Sequence, residues 1–283
     1  MALHWPTFFT RLGSAIVFAA IMMAGLLWNE WAFLLLILAI MILCLRDYFR
    51  LVKKIYPDGT RPKWLQMVTQ GFSIALLLMS GFYLFDIGPA FNHKVIVSLL
   101  LVPILILLLT TLRNRKTIPS ALHACGGLVY ITMPSLMLIV IRDISIAIPI
   151  ALILMIWMND TMAYLVGSFI GKTPFSKISP KKTWEGTAGG AILTVAGAAI
   201  WGYYSPHYTI ADWIVLALCA AIAGTAGDLL ESKLKRMADV KDSGTMMPGH
   251  GGALDRFDSL LVATPFAFVY AYVVMKPVEL VIF

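Results

Sequence analysis

Residues 228–258, DLLESKLKRMADVKDSGTMMPGHGGALDRFD, gather carboxylates, cations and glycines between two apolar segments of a chain that is only 13% charged. Asp228, Ser232 and Lys235 recur at i, i+4 and i+7, a spacing that puts them on one face of a helix. Asp255 and Asp258 form an i, i+3 pair that also shares a face. Three carboxylates brought in from two helix ends make a hard oxygen site of the kind Mg²⁺ takes, with water and phosphate oxygens completing its shell. Lys233, Lys235, Arg236, Lys241 and Arg256 can neutralise phosphates. Gly249, Gly251 and Gly252 let a backbone come close, with N–H groups free to face an anion. His250 reads as a turn hydrogen-bonder, and with no Cys or second His nearby zinc is disfavoured. The plain alternative is an ordinary charged loop. The aspartates at the ends of apolar runs resist it, because ionisable groups near membrane depth are costly.

A second stretch, NDTMAYLVGSFIGKTPFSKISPKKTWEG at 159–186, has the same character. Asn159 and Asp160 end an apolar run, and Asp160, Tyr164 and Gly167 share a helix face. GSFIGKT at 167–173 resembles a phosphate-binding P-loop but has three residues between its glycines where that loop needs four. It also follows a helix of membrane length rather than a strand, so the P-loop is rejected and close helix packing through Gly167 and Gly171 is preferred. Lys172, Lys177, Lys181 and Lys182, with Ser179, Pro180 and Thr183, form a short basic loop. Alone they would pass as snorkelling lysines. Two basic, hydroxyl-rich loops flanked by carboxylates point to a phosphate site.

The elements that must hold these residues are apolar helices. The 283 residues are 60% hydrophobic, with a mean hydropathy of +0.84, whereas soluble domains are about half apolar. Unbroken Leu, Ile, Val and Ala runs indicate an all-α, polytopic transmembrane helical bundle rather than a β-barrel. About nine spans are expected, near 12–28, 31–46, 70–86, 95–112, 120–141, 145–167, 186–204, 210–228 and 258–280. The first is read as a retained helix rather than a cleaved signal. Cys44, Cys125 and Cys219 lie scattered in apolar segments and read as packing residues. The chain is treated as one membrane domain over 1–283. Its 1–112 part carries a basic interfacial segment at 46–63 and little other chemistry. Its 113–283 part carries the loops 171–186 and 228–258.

Assigning alternate loops to alternate sides places 19 of the 22 basic residues on one side, leaving Lys94, Arg142 and Lys276 on the other. The positive-inside rule then puts the N-terminus in the cytoplasm. This asymmetry accounts for the net charge of +7 without nucleic acid, and makes membrane lipids with anionic head groups natural partners.

Ser232, Lys235, Arg236, Lys241, Asp242, Gly244, Pro248, His250, Gly251, Gly252, Asp255, Arg256 and Asp258 reproduce a pattern that resembles the phosphatidate cytidylyltransferases, or CDP-diacylglycerol synthases. Asn159-Asp160…Ala163-Tyr164…Gly167…Gly171-Lys172 and Ser179-Pro180-Lys181-Lys182-Thr183-Trp184-Glu185-Gly186 are similar to the same family. Met247 and Ala253 stand where a branched aliphatic residue is expected, and both remain apolar. The strong part of the resemblance covers roughly 155–260.

The resemblance implies that CTP and phosphatidic acid give CDP-diacylglycerol and pyrophosphate with Mg²⁺, a second cation being left open. It also implies a bacterial-type cytoplasmic (inner) membrane enzyme, homodimeric, with its site facing the cytoplasm. On this reading Asp228, Asp255 and Asp258 hold metal, and Lys235, Arg236 and Arg256 clamp phosphates. Asp160, Lys172, Lys181, Lys182, Thr183, Ser232, Lys241, His250, Gly251 and Gly252 contact substrate, Asp160 either orienting a lysine or joining the metal shell. The alternatives are a CTP-dependent lipid-alcohol kinase, a cytidylyltransferase for another lipid phosphate, and an ion-coupled transporter using embedded aspartates.

Overall fold

A computed structural model describes residues 5–57, 63–86, 118–205, 207–246 and 251–275. The expected fourth span at 95–112, together with Gly249 and His250, lies outside the described residues. The described residues are mainly helical: α1 (Trp5–Leu27), α2 (Glu30–Ile55), α3 (Lys63–Phe85), α4 (Ile118–Gly127), α5 (Met133–Ile144), α6 (Ala147–Ile170), α7 (Trp184–Tyr204), α8 (Ile210–Leu218), α9 (Gly224–Met237) and α10 (Leu254–Val273). One-turn π segments, Leu128–Thr132 and Cys219–Ala223, join α4 to α5 and α8 to α9 without breaking the rod.

Five of these helical runs among the described residues are long and apolar enough to cross a membrane: Glu30–Ile55, Lys63–Phe85, Pro119–Ile144, Ala147–Ile170 and Ile210–Met237. Outward faces are apolar too, with Leu35, Leu154 and Phe169 exposed on these runs and Ile192, Ile200 and Val269 exposed on α7 and α10. Such a surface needs lipid. Exposed Trp28, Trp31, Trp64, Tyr203 and Tyr204 near helix ends suit the interface. This is an all-α integral membrane protein.

Two elements run further than expected. The basic segment 46–63 is not a separate interfacial helix, because α2 continues unbroken to Ile55. The eighth span continues past 228 to Met237, so Asp228 sits inside a helix rather than at its end.

The chain forms two compact units, one from 1–139 with 237–257 and the other from 140–236 with 258–283. In the first unit α2 is central, burying Phe33, Leu34, Met41, Cys44 and Leu45. Buried hydroxyls pair across the unit, as Ser73 Oγ with Thr132 Oγ1 at 2.8 Å, since an unpaired one would cost about 1–3 kcal/mol.

In the second unit α6 and α7 pack tightly because glycines face the seam. A Cβ at Gly186 would lie 2.7 Å from Ala163 O, and one at Gly190 would lie 2.8 Å from Asn159 O. The expected packing role of Gly167 holds, since it faces Gly186 across this seam. Residues 258–273 run antiparallel to α8 and α9. Tyr270 donates to Asp212 Oδ1 at 2.8 Å at one end, and Gly227 abuts the backbone of Asp258 at the other.

Candidate active site

The glycine-rich segment of the first unit is organised by two carboxylates. Asp47, on α2, is only 7% exposed. Its Oδ2 accepts the N–H of Ala253 at 2.7 Å and of Leu254 at 3.4 Å. These are among the N–H groups that the start of α10 leaves without intrahelical acceptors, so Asp47 caps that helix from another one. Asp255, in the first turn of α10, turns back into the loop. Its Oδ2 accepts from Ser243 N at 2.9 Å, Ser243 Oγ at 2.8 Å and Gly252 N at 2.7 Å.

Gly244 and Gly252 admit no Cβ because Asp47 occupies the space. Gly251 has φ +79°, the left-handed region that glycine tolerates. The Gly252 N–H expected to face a substrate anion therefore faces one of the chain's own carboxylates. Lys241 and Arg256 are exposed.

The second unit holds a different cluster. Lys182 Nζ lies 2.7 Å from Asp228 Oδ2, which joins the basic loop after α6 to α9. Asp160 lies in the field of both Lys182 and Asp228, and its carboxylate accepts from the Asn159 side chain. Asp258 is 6% exposed. It feels repulsion from Asp228 and Asp160 and attraction from Lys235, while its Oδ1 accepts from Ser259 N at 2.6 Å. Lys235 also pairs with Glu231, one turn before it and fully buried. Asp228, Ser232 and Lys235 do share one helix. Arg236, Lys172 and Lys181 are exposed at its margins.

The 171–183 loop is itself folded. Pro174 and Thr183 form an antiparallel bridge, with Phe175 N donating to Lys182 O at 2.7 Å and Trp184 N to Thr173 O at 2.9 Å. Glu185 binds the loop start, accepting from Lys172 N, Thr173 N and Thr173 Oγ1. The N–H groups of its own backbone and of the loop, with the Thr173 hydroxyl, hold its carboxyl down to about 2. Thr183, expected to touch substrate, caps α7 by accepting from Gly186 N at 3.1 Å.

Among the described residues, no three His, Cys, Asp or Glu side chains stand close enough to hold one metal ion. The donor chemistry of the second unit nonetheless fits a hard divalent ion. It is all oxygen, two carboxylates suffice when substrate phosphates supply the rest, and Asp258 is a buried carboxylate under mutual repulsion with its neighbours. Asp255 stands three residues before Asp258 on α10, with Oδ2 committed to the turn. Asp47 and Glu231 are not among the residues the sequence singles out, and Glu185 appears there only within the family-like run. Asp47 has no local signal, whereas Glu231 carries one in its i, i+4 spacing to Lys235.

Residues 9–274 match the model of the cytidylyltransferase family. The chain belongs to that family. It is 34% identical over 220 residues to a phosphatidate cytidylyltransferase of Bacillus subtilis, covering 74% of this chain and 81% of the relative. It is 41% identical over 125 residues to one from Haemophilus influenzae, 42% of this chain and 43% of that relative. A Synechocystis relative of the same name is 45% identical over 127 residues, 44% of this chain and 42% of the relative. The last two matches thus span less than half of those family members.

Proposed function

We propose that this membrane protein is a phosphatidate cytidylyltransferase, transferring the cytidylyl group of CTP to the phosphate of phosphatidic acid. The observation that carries the reading is the Asp160, Lys182, Asp228, Lys235 and Asp258 cluster, built by the helices and the 171–183 loop that hold the family-like motifs. A phosphate oxygen of phosphatidic acid attacks the α-phosphorus of CTP. The bond from that phosphorus to the oxygen bridging to the β-phosphate breaks, and pyrophosphate leaves with the bonding pair. The nucleophile is already anionic, so no protein base is required. The work of the protein is positioning and charge stabilisation.

Asp228 and Asp258 would hold Mg²⁺, which when bound neutralises phosphate oxygens. In this reading Asp255 shapes the turn instead of serving as a third ligand. Lys182 and Lys235 sit among the carboxylates and supply positive charge to phosphates. Arg236, exposed, is the outer clamp. Acyl chains stay in the bilayer. The proposed setting is a bacterial-type cytoplasmic membrane, with the site facing the cytoplasm, a homodimer as the assembly and anionic lipids around it.

Purified protein in detergent with phosphatidic acid, Mg²⁺ and CTP labelled separately at the α- and γ-phosphates tests this. The α label should enter the lipid and the γ label should leave in pyrophosphate. Transfer of the γ label to lipid would identify a kinase. Solute flux without CTP consumption would identify a transporter.

A further inference from the structure

The first unit contains an open cleft of about 470 Å³, lined by Arg50, Leu51, Lys54 and residues 240–245. We propose that it is a phosphate-binding subsite, taking either the phosphomonoester of the lipid substrate or the triphosphate of the nucleotide. The proposal rests on the reading above and adds a place for one of its two substrates.

The sequence explains why the cleft is cationic. At 1.5 Å per residue, the 26 residues of α2 reach about 39 Å, beyond the roughly 30 Å hydrocarbon core. The extra turns carry the basic residues. Arg50 and Lys54 are i, i+4 neighbours on one face, and Asp47 lies one turn earlier on the same stripe. Asp47 holds the start of α10, and Gly244 packs against its carboxylate. Asp255 fixes Ser243. The wall opposite Arg50 and Lys54 is thereby anchored to their own helix.

Three cations, Arg50, Lys54 and Lys241, face the space against one carboxylate, Asp242, with the Thr245 side chain beside them. Like charges held together repel. An anion of two or more charges relieves that repulsion and gains charge-assisted hydrogen bonds. The volume falls in the usual range for small-ligand sites.

The competing explanation is a basic helix end that attracts anionic lipid without a defined site. Lys53 separates the two, being exposed on the same helix yet absent from the cleft wall. The full chain is placed in nanodiscs of phosphatidylcholine alone, without metal. Binding of dihexanoyl phosphatidic acid and of CTP is measured by calorimetry for wild type, Arg50→Gln, Lys54→Gln, the double variant and Lys53→Gln.

Each cleft variant should weaken one of the two probes by about tenfold and the double variant by more. Lys53→Gln should change binding less than about twofold, as expected for a screened surface charge. A fall for phosphatidic acid assigns the headgroup, and a fall for CTP assigns the triphosphate. Wild type that binds neither probe, unchanged binding in the cleft variants, or an equal loss in Lys53→Gln overturns the subsite. Failure to form CDP-lipid in the labelled-CTP assay would overturn the enzymatic reading instead, and leaves the binding result to stand or fall separately.

Discussion

Asp47 and Asp255 in one unit, and Asp160, Asp228 and Asp258 in the other, are acidic residues of one chain put to different uses. Each of the first two presents an oxygen to several N–H or O–H donors of the 243–254 segment. Their charge is spent on shape: it caps a helix and folds a glycine turn. The other three stand among one another and among Lys182 and Lys235. Burying a charge such as that of Asp258 costs several kcal/mol before pairing offsets it, while Asp228 is half-buried and Asp160 exposed beside it. Carboxylates saturated by backbone donors organise a fold. Carboxylates balanced mainly by mobile lysine heads keep a field that a cation or a polyphosphate can enter.

The sharpest way to break this contrast is Asp258→Asn. It removes a charge while keeping the shape and an acceptor for Ser259 N. Turnover of CTP with phosphatidic acid should fall by about a thousandfold or more, as for loss of a principal electrostatic group, with thermal unfolding little changed. Substantial residual turnover would return Asp258 to a structural role. Asp47 should behave oppositely. Asp47→Ala leaves the N–H groups of Ala253 and Leu254 without their acceptor and should cost about 2–4 kcal/mol in unfolding. Asp47→Asn keeps an acceptor oxygen and should recover most of that stability. If alanine and asparagine destabilise equally, the cap is not what Asp47 supplies.

These two residues also show what a sequence can and cannot display. Membrane helices announce themselves because lipid selects long apolar runs, and a basic bias marks the ends. The i, i+4 and i+7 spacing of Asp228, Ser232 and Lys235 needs only a helix to be meaningful. Asp47 meets its partner 206 residues later, and no local pattern encodes such a contact. Thr183 and Gly252 stand out in the sequence as chemistry, and the fold gives each an internal partner. The Thr183 hydroxyl serves a helix start, and the Gly252 N–H serves an acid three residues on. A motif reports which groups are present, and only the fold tells which of them already have internal partners. The apolar spans expected to end at 46 and 228 continue as helix to 55 and 237, because a helix can leave the bilayer and carry charged turns beyond it.

Lys182 tests the contrast at intermediate strength. Its pair with Asp228 is about 30% exposed on both sides, so Lys182→Ala should cost no more than about 1 kcal/mol of stability. Turnover should fall about 10- to 100-fold, because a positive charge beside the reacting phosphates is lost. Lys182→Arg should restore part of it. A stability loss as large as that of Asp47→Ala would place this pair with the shape-making carboxylates.

The smallest expected effect concerns Glu185, which belongs to the second unit yet behaves like Asp47. Its carboxylate accepts from Lys172 and Thr173 and so closes the loop after α6. The folded carboxyl is held at about 2, below its ordinary 4.5, first by its own backbone N–H and then by the Thr173 hydroxyl and the loop amides. A lowered folded value means that the contribution is complete above about 4.5 and is lost as pH falls through about 2. Protection of the Thr173 amide against hydrogen exchange, corrected for its intrinsic pH dependence, should therefore decline across that window in wild type. In Glu185→Gln it should be lower at neutral pH and flat over the same range. Turnover at neutral pH should change only modestly, since Glu185 holds the loop and not the phosphates. A pH-independent wild-type profile would show that this carboxylate is replaceable by any acceptor, and the division between shape and charge would then follow the donors rather than the unit in which the acid resides.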